Sequence, residues 1–72
     1  MNYQRIYDSL ISNAQSRKET SGYTEIHHIH PKSLGGTDDE DNLVTLTAKE
    51  HYVAHHLLYL IYKDTEYAQP MA

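Results

Sequence analysis

The chain contains no cysteine, which excludes disulfides and thiolate zinc sites. The absence fits a reducing compartment. Long apolar runs are missing too. No stretch approaches membrane-spanning length, and no charged start leads into an apolar segment as in a signal peptide. A soluble, cytoplasmic protein without membrane contact is expected. A basic excess is also lacking. Net charge is −4 and the pI is about 5.8, so no broad electrostatic footprint for nucleic acid is visible. A local positive site, made by an ion and a few Lys or Arg side chains, is compatible with that balance.

Histidine is abundant instead, with six in 72 residues. His27, His28 and His30 form one cluster; His51, His55 and His56 form another. A domain this short has a thin hydrophobic margin over conformational entropy, and such domains usually add a disulfide, a metal or a partner. Histidine is the only nitrogen or sulfur ligand type present, so a metal is the expected staple.

Tyr3 to about Arg17 reads as a helix. Tyr3, Ile6, Tyr7, Leu10, Ile11 and Ala14 recur as one apolar stripe. Asn2 can cap its start, and Arg17 and Lys18 suit its C-terminal dipole end. It reads as a packing element, with Arg5, Arg17 and Lys18 as solvated charges rather than phosphate contacts. Gly22 marks a break. Tyr23 to Ile29 reads as a strand, ended by Pro31. Lys32 to Asn42 is a loop with a tight turn at Gly35-Gly36. Its acidic run, Asp38 to Asp41, lacks the ligand order of a calcium loop and reads as a solvated tip. Leu43 to Leu46 is a second strand.

Thr47-Ala48-Lys49-Glu50 has the capping-box pattern. A helix from there to about Lys63 would present Val53, Ala54, Leu57, Leu60 and Ile61 on an apolar face. His51, His55 and Leu58 would form an adjacent stripe, and Tyr52, His56, Tyr59 and Lys63 would point away. Asp64 to Ala72 carry no period, and Pro70 opposes helix continuation.

The spacing of His51 and His55 puts both imidazoles on one helix face, one turn apart, as divalent-metal chelation requires. In the first cluster, strand alternation pairs His28 with His30 and sets His27 on the other face. Periodicity does not choose between that pair and His27 as co-ligands.

Three segments carry a combined pattern. They are Glu25-Ile26-His27-His28-Ile29-His30-Pro31-Lys32-Ser33-Leu34-Gly35-Gly36, then Asp41-Asn42-Leu43-Val44-Thr45-Leu46-Thr47, then Glu50-His51-Tyr52-Val53-Ala54-His55. The order His-His, Pro, Gly-Gly, Asn-Leu and His-x-x-x-His resembles the HNH endonuclease family. It is similar to nuclease colicin domains and, more closely, to phage homing endonucleases of that family. The resemblance implies an α+β, ββα-metal fold: an N-terminal helix, then a two-stranded antiparallel hairpin packed on a metal-bearing helix. Residues 1–72 would be a single nuclease domain with its core motif at 25–63.

The resemblance also implies roles. His27, His51 and His55 would ligate one divalent ion, and His28 would be the general base that activates water. Asn42 would brace the loop that aims His28. For His27 and His28 to share a centre, the strand must twist or end near His28. Glu25 would orient a histidine or Lys32 meet a phosphate, and a plain surface role fits either equally well. His30 is expected to take a surface or hydrogen-bonding role, and His56 to be exposed to solvent. Imidazole ligands favour Zn²⁺, Ni²⁺, Co²⁺ or Mn²⁺, whereas Mg²⁺ prefers oxygen.

The substrate implied is the phosphate backbone of double-stranded DNA, cut to 5′-phosphate and 3′-hydroxyl ends. A further DNA-binding domain or a dimer partner, neither visible in this chain, would supply the surface that an acidic domain lacks. The rival reading is a non-catalytic zinc module contacting DNA or a protein partner, which needs neither His28 nor Asn42. A helical interaction domain with incidental histidines leaves the capping box and the doublet unexplained.

Overall fold

A computed structural model describes residues 1–20 and 22–63. The order is helix α1 (Tyr3–Ser16), strand β1 (Glu25–His28), strand β2 (Leu43–Leu46) and helix α2 (Ala48–Tyr62), an α+β arrangement. Two short 3₁₀ turns, Lys32–Leu34 and Glu40–Asn42, occupy the segment expected to be plain loop. Pro70 and its neighbours lie outside the described residues. No helix among the described residues is long and apolar enough to cross a membrane.

Helix α1 starts where Asn2 accepts a hydrogen bond from Arg5 N at 3.0 Å. It buries Tyr7, Ile11 and Ala14. Ile6, expected on the same stripe, is 41% exposed. It sits at the stripe's edge, and the contact face is centred on Tyr7 and Ile11. The helix stops at Ser16 and Arg17 turns extended, which redirects that guanidinium from the helix end towards α2.

The strands pair antiparallel, with Glu25 opposite Leu46, Ile26 opposite Thr45, His27 opposite Val44 and His28 opposite Leu43. β1 is shorter than Tyr23 to Ile29. Its ladder ends at His28 because the chain bends at Ile29 and His30, where Ile29 N donates to Asn42 O at 2.8 Å. Alternation sends Glu25 and His27 to the inner face with Val44 and Leu46, and Ile26 to the outer face. His27 is the buried polar side chain among the described residues, at 2% exposure.

Thr47 caps α2 by accepting from Glu50 N at 3.2 Å, while Glu50 Oε1 accepts from Thr47 N at 2.8 Å. The helix buries Ala54, Leu57 and Leu58, and Val53 is exposed, contrary to the wheel. The reason is a rotation: His51, Ala54, His55, Leu58 and Ile61 form one continuous face. The histidine stripe and the apolar stripe are the same side of the helix. The core joins Tyr7, Ile11 and Ala14 of α1, Val44 and Leu46 of β2, and Ala54, Leu57 and Leu58 of α2. Burying each large aliphatic side chain is worth about 1.5–3 kcal/mol, so α1 is an integral layer of the domain.

A candidate metal centre

The inner face of β1 and the first two turns of α2 bring His27, His51 and His55 together. One nitrogen from each lies within 4.8 Å of the others. Ring centroids are 5.0 Å apart for His27 and His51, 5.4 Å for His27 and His55, and 4.6 Å for His51 and His55. The capping box sets the phase of α2 one residue before His51, and the four-residue spacing stacks His55 a turn later.

Two of the three rings are held from behind. His51 Nδ1 lies 2.7 Å from Glu25 Oε1, and Tyr23 donates its hydroxyl proton to Glu25 Oε2 at 2.6 Å. These bonds hold the Glu25 carboxyl below its usual range, Tyr23 first and His51 next. With its Nδ1 proton given to a carboxylate, neutral His51 presents a lone pair at Nε2. That atom is 3.0 Å from His55 Nε2. His27 Nε2 lies 2.8 Å from the Tyr7 hydroxyl.

The electrostatics disfavour protons here. His27 is pushed down to about 4, first by burial and then by charge on His51, His55 and His28. His55 is lowered by burial and by His51. Converging imidazoles, two of them disfavouring the charged form and two held from behind by a hydrogen-bond partner, suit a divalent cation, whose histidine ligands must be neutral. The donor set therefore fits such an ion.

His28 is not in this triad. It leaves the strand on the other side, half-buried, with Nε2 2.8 Å from Asp38 Oδ1. Lys32 Nζ donates to Asp38 Oδ2 at 2.9 Å. His28 first and Lys32 next hold the Asp38 carboxyl below its usual range. Asp38 is exposed, yet it is not the free loop tip expected of the acidic run, because its two oxygens bridge an imidazole and an ammonium. Asn42 braces the adjoining turn: Oδ1 accepts from His30 N at 2.8 Å, and Nδ2 donates to His30 O at 3.0 Å and to Thr37 O at 2.7 Å. His30 Nε2 meets Leu34 O at 3.0 Å. His56 is exposed.

Sequence reasoning missed four residues around the site. Tyr7 was hidden in an apolar stripe, where its hydroxyl was the only signal. Asp38 was one of four acids in a row. Tyr23 lies before β1 rather than within it, and Arg17 is no solvated charge but pairs with Glu50.

The HNH endonuclease family model matches residues 14–57. The probable mobile endonuclease E of Enterobacteria phage T4 is 58% identical over 62 residues, covering 86% of this chain and 44% of that protein. The probable mobile endonuclease C of the same phage is 54% identical over 71 residues, 93% of this chain and 33% of that protein. An uncharacterized protein encoded in psbA intron 1 of Chlamydomonas moewusii is 39% identical over 59 residues, 82% of this chain and 17% of that protein. The chain thus spans less than half the length of these relatives. No solved structure matches it. The family match runs from the end of α1 through both strands to Leu57, just past His55 and His56, a span that contains the whole triad, and the chain belongs to the HNH endonuclease family.

Proposed function

We propose that the chain is the nuclease part of a metal-dependent endonuclease that hydrolyses phosphodiester bonds of double-stranded DNA. His27, His51 and His55 hold one divalent ion. His28 is the general base, and Asn42 braces the turn beside it. The reading is supported above all by the split between neighbours: His27 faces inward to two other imidazoles, while His28 faces outward, half-buried, with a carboxylate behind it.

His28 is organised for proton transfer. Asp38 Oδ1 accepts from Nε2–H, which leaves the lone pair on Nδ1. A neutral imidazole with its lone pair free can take a proton from water. The water oxygen forms a bond to phosphorus as the bond to the 3′ oxygen breaks. That oxygen takes a proton from solvent, giving 5′-phosphate and 3′-hydroxyl ends. A divalent cation held by His27, His51 and His55 would supply Lewis-acid stabilisation of developing negative charge. The remaining work is the chain's own: Glu25 aims His51, and Asn42 holds the backbone of His30 against Thr37. Imidazole donors suit Zn²⁺, Ni²⁺, Co²⁺ or Mn²⁺ better than Mg²⁺.

The test is plasmid cleavage with each of Mg²⁺, Mn²⁺, Ni²⁺ and Zn²⁺, wild type beside His28→Ala. The variant should fold and bind metal but cut about 10²–10⁴-fold more slowly, the usual contribution of a general base. Equal cutting would remove His28 from the role. Metal uptake without cutting by the wild type would favour a non-catalytic zinc module.

A further inference from the structure

We propose that Tyr7, on the helix preceding the ββα unit, is a positioning residue of the metal centre that fixes which nitrogen of His27 is free to bind a cation. The inference rests on the triad being a metal site and adds a fourth element to it. It follows from the protons around one oxygen. Tyr7 Oη lies 2.8 Å from His27 Nε2 and 2.5 Å from Ile29 O. A phenol has one proton, and a carbonyl oxygen has none to give. The Tyr7 proton is therefore donated to Ile29 O, and towards His27 the phenol oxygen can only accept. His27 Nε2 must then carry hydrogen and donate it. A neutral imidazole protonated at Nε2 has its lone pair at Nδ1, so Nδ1 is the atom His27 offers.

The surroundings reinforce this. Tyr7 and His27 are each 2% exposed, so solvent has little access to either partner. Their rings meet edge to face, 6.1 Å apart at 69°. Glu25 acts correspondingly on His51, accepting from Nδ1–H and leaving the lone pair on Nε2. The two ligands are thus fixed in opposite tautomers by different partners, one from α1 and one from β1. Ile11 and Ala14 dock α1 in the core, so metal affinity is tied to the packing of that helix.

The experiment uses the full chain, ¹⁵N-labelled, as wild type and Tyr7→Phe. Long-range ¹H–¹⁵N correlation of the metal-free wild type should show His27 as the Nε2–H tautomer. Tyr7→Phe should mix the two tautomers and weaken Co²⁺ binding about 10–100-fold, the range for loss of a partner behind a metal ligand. A melt of each protein establishes folding. If Tyr7→Phe does not fold, the wild-type tautomer alone decides. Nδ1–H at His27, or unchanged Co²⁺ affinity in a folded variant, overturns the proposal. A wild type with Nε2–H that takes up no Co²⁺ overturns the metal reading of the triad and leaves the Tyr7 hydrogen bond supported.

Discussion

Arg17 and Glu50, 33 residues apart, meet as a two-armed ion pair, with Nη1 and Nη2 each 2.7 Å from a different carboxylate oxygen. Arg17 Nη2 also donates to Thr45 O at 2.9 Å. One guanidinium thus joins the end of α1, the middle of β2 and the first turn of α2. Glu50 Oε1 is at the same time the reciprocal half of the capping box. The joint lies one residue before His51, so it holds the start and phase of the helix that presents two of the three triad imidazoles.

Glu50→Ala removes the ion pair and half of the cap, whereas Arg17→Met removes the ion pair and the bond to Thr45 O but leaves the cap whole. Loss of a cap costs about 1 kcal/mol, and in a domain this small that lowers the melting temperature by about 4–8 °C. Glu50→Ala should therefore melt earlier than Arg17→Met, and both earlier than wild type. Thermal unfolding in EDTA measures this without a metal contribution. Equal melting temperatures for the two variants would show that Glu50's half of the cap carries no more than the Arg17–Thr45 bond.

The elements that sequence reading located well are those with local causes. β2 and the start of α2 follow from a short apolar run and a capping box, and the helix phase of His51 and His55 follows from the cap. The boundaries and faces that went astray depend on tertiary partners. Val53 looked buried because periodicity identifies a stripe but not its rotation; the packing of Ala54 and Leu58, with His27 facing His51 and His55, sets that rotation. Tyr7 was legible as core and illegible as a hydrogen-bond partner, since its partners are 20 and 22 residues away. Strand alternation separated His27 from His28 correctly. It carried no information on Asp38, which reaches His28 only because the Lys32–Asn42 segment folds back in two 3₁₀ turns.

Gly36 is fixed by close approach. A Cβ there would fall 1.8 Å from His30 O, 2.7 Å from His30 C and 2.9 Å from Pro31 O, all backbone atoms that cannot swing aside. Gly35 is the opposite case, with open space around it but a φ of 96°. Gly36→Ala should force open the turn that Asn42 braces, at a cost in the overpacking range of about 1–3 kcal/mol or more. Gly35→Ala should cost about 1 kcal/mol, the penalty of a side chain at positive φ. Urea unfolding ranks the two, and plasmid cleavage should fall further for Gly36→Ala. A Gly36→Ala protein as stable as wild type would mean that the turn is looser than its contacts indicate.

Acid should unfold the metal-free protein in two overlapping stages. His27 lies at about 4 in the fold against an ordinary 6.5. Between those values the unfolded chain binds more protons than the folded one, so stability falls as pH falls. His27's contribution is complete above about 6.5 and is lost on descent towards 4. Glu50 has the same sign in a lower window. Arg17 is the first cause that holds it at about 2 against 4.5, so its contribution is present above 4.5 and is lost as pH falls through 2. His55, also lowered, adds to the upper stage. Melting temperature in EDTA should therefore change little from pH 8 to 7, then decline from about 6.5 downwards. Glu50→Gln should flatten the stage below 4.5 and leave the upper one in place. A melting temperature unchanged between pH 7 and 4.5 would show that His27 is not held neutral by its burial and its neighbours.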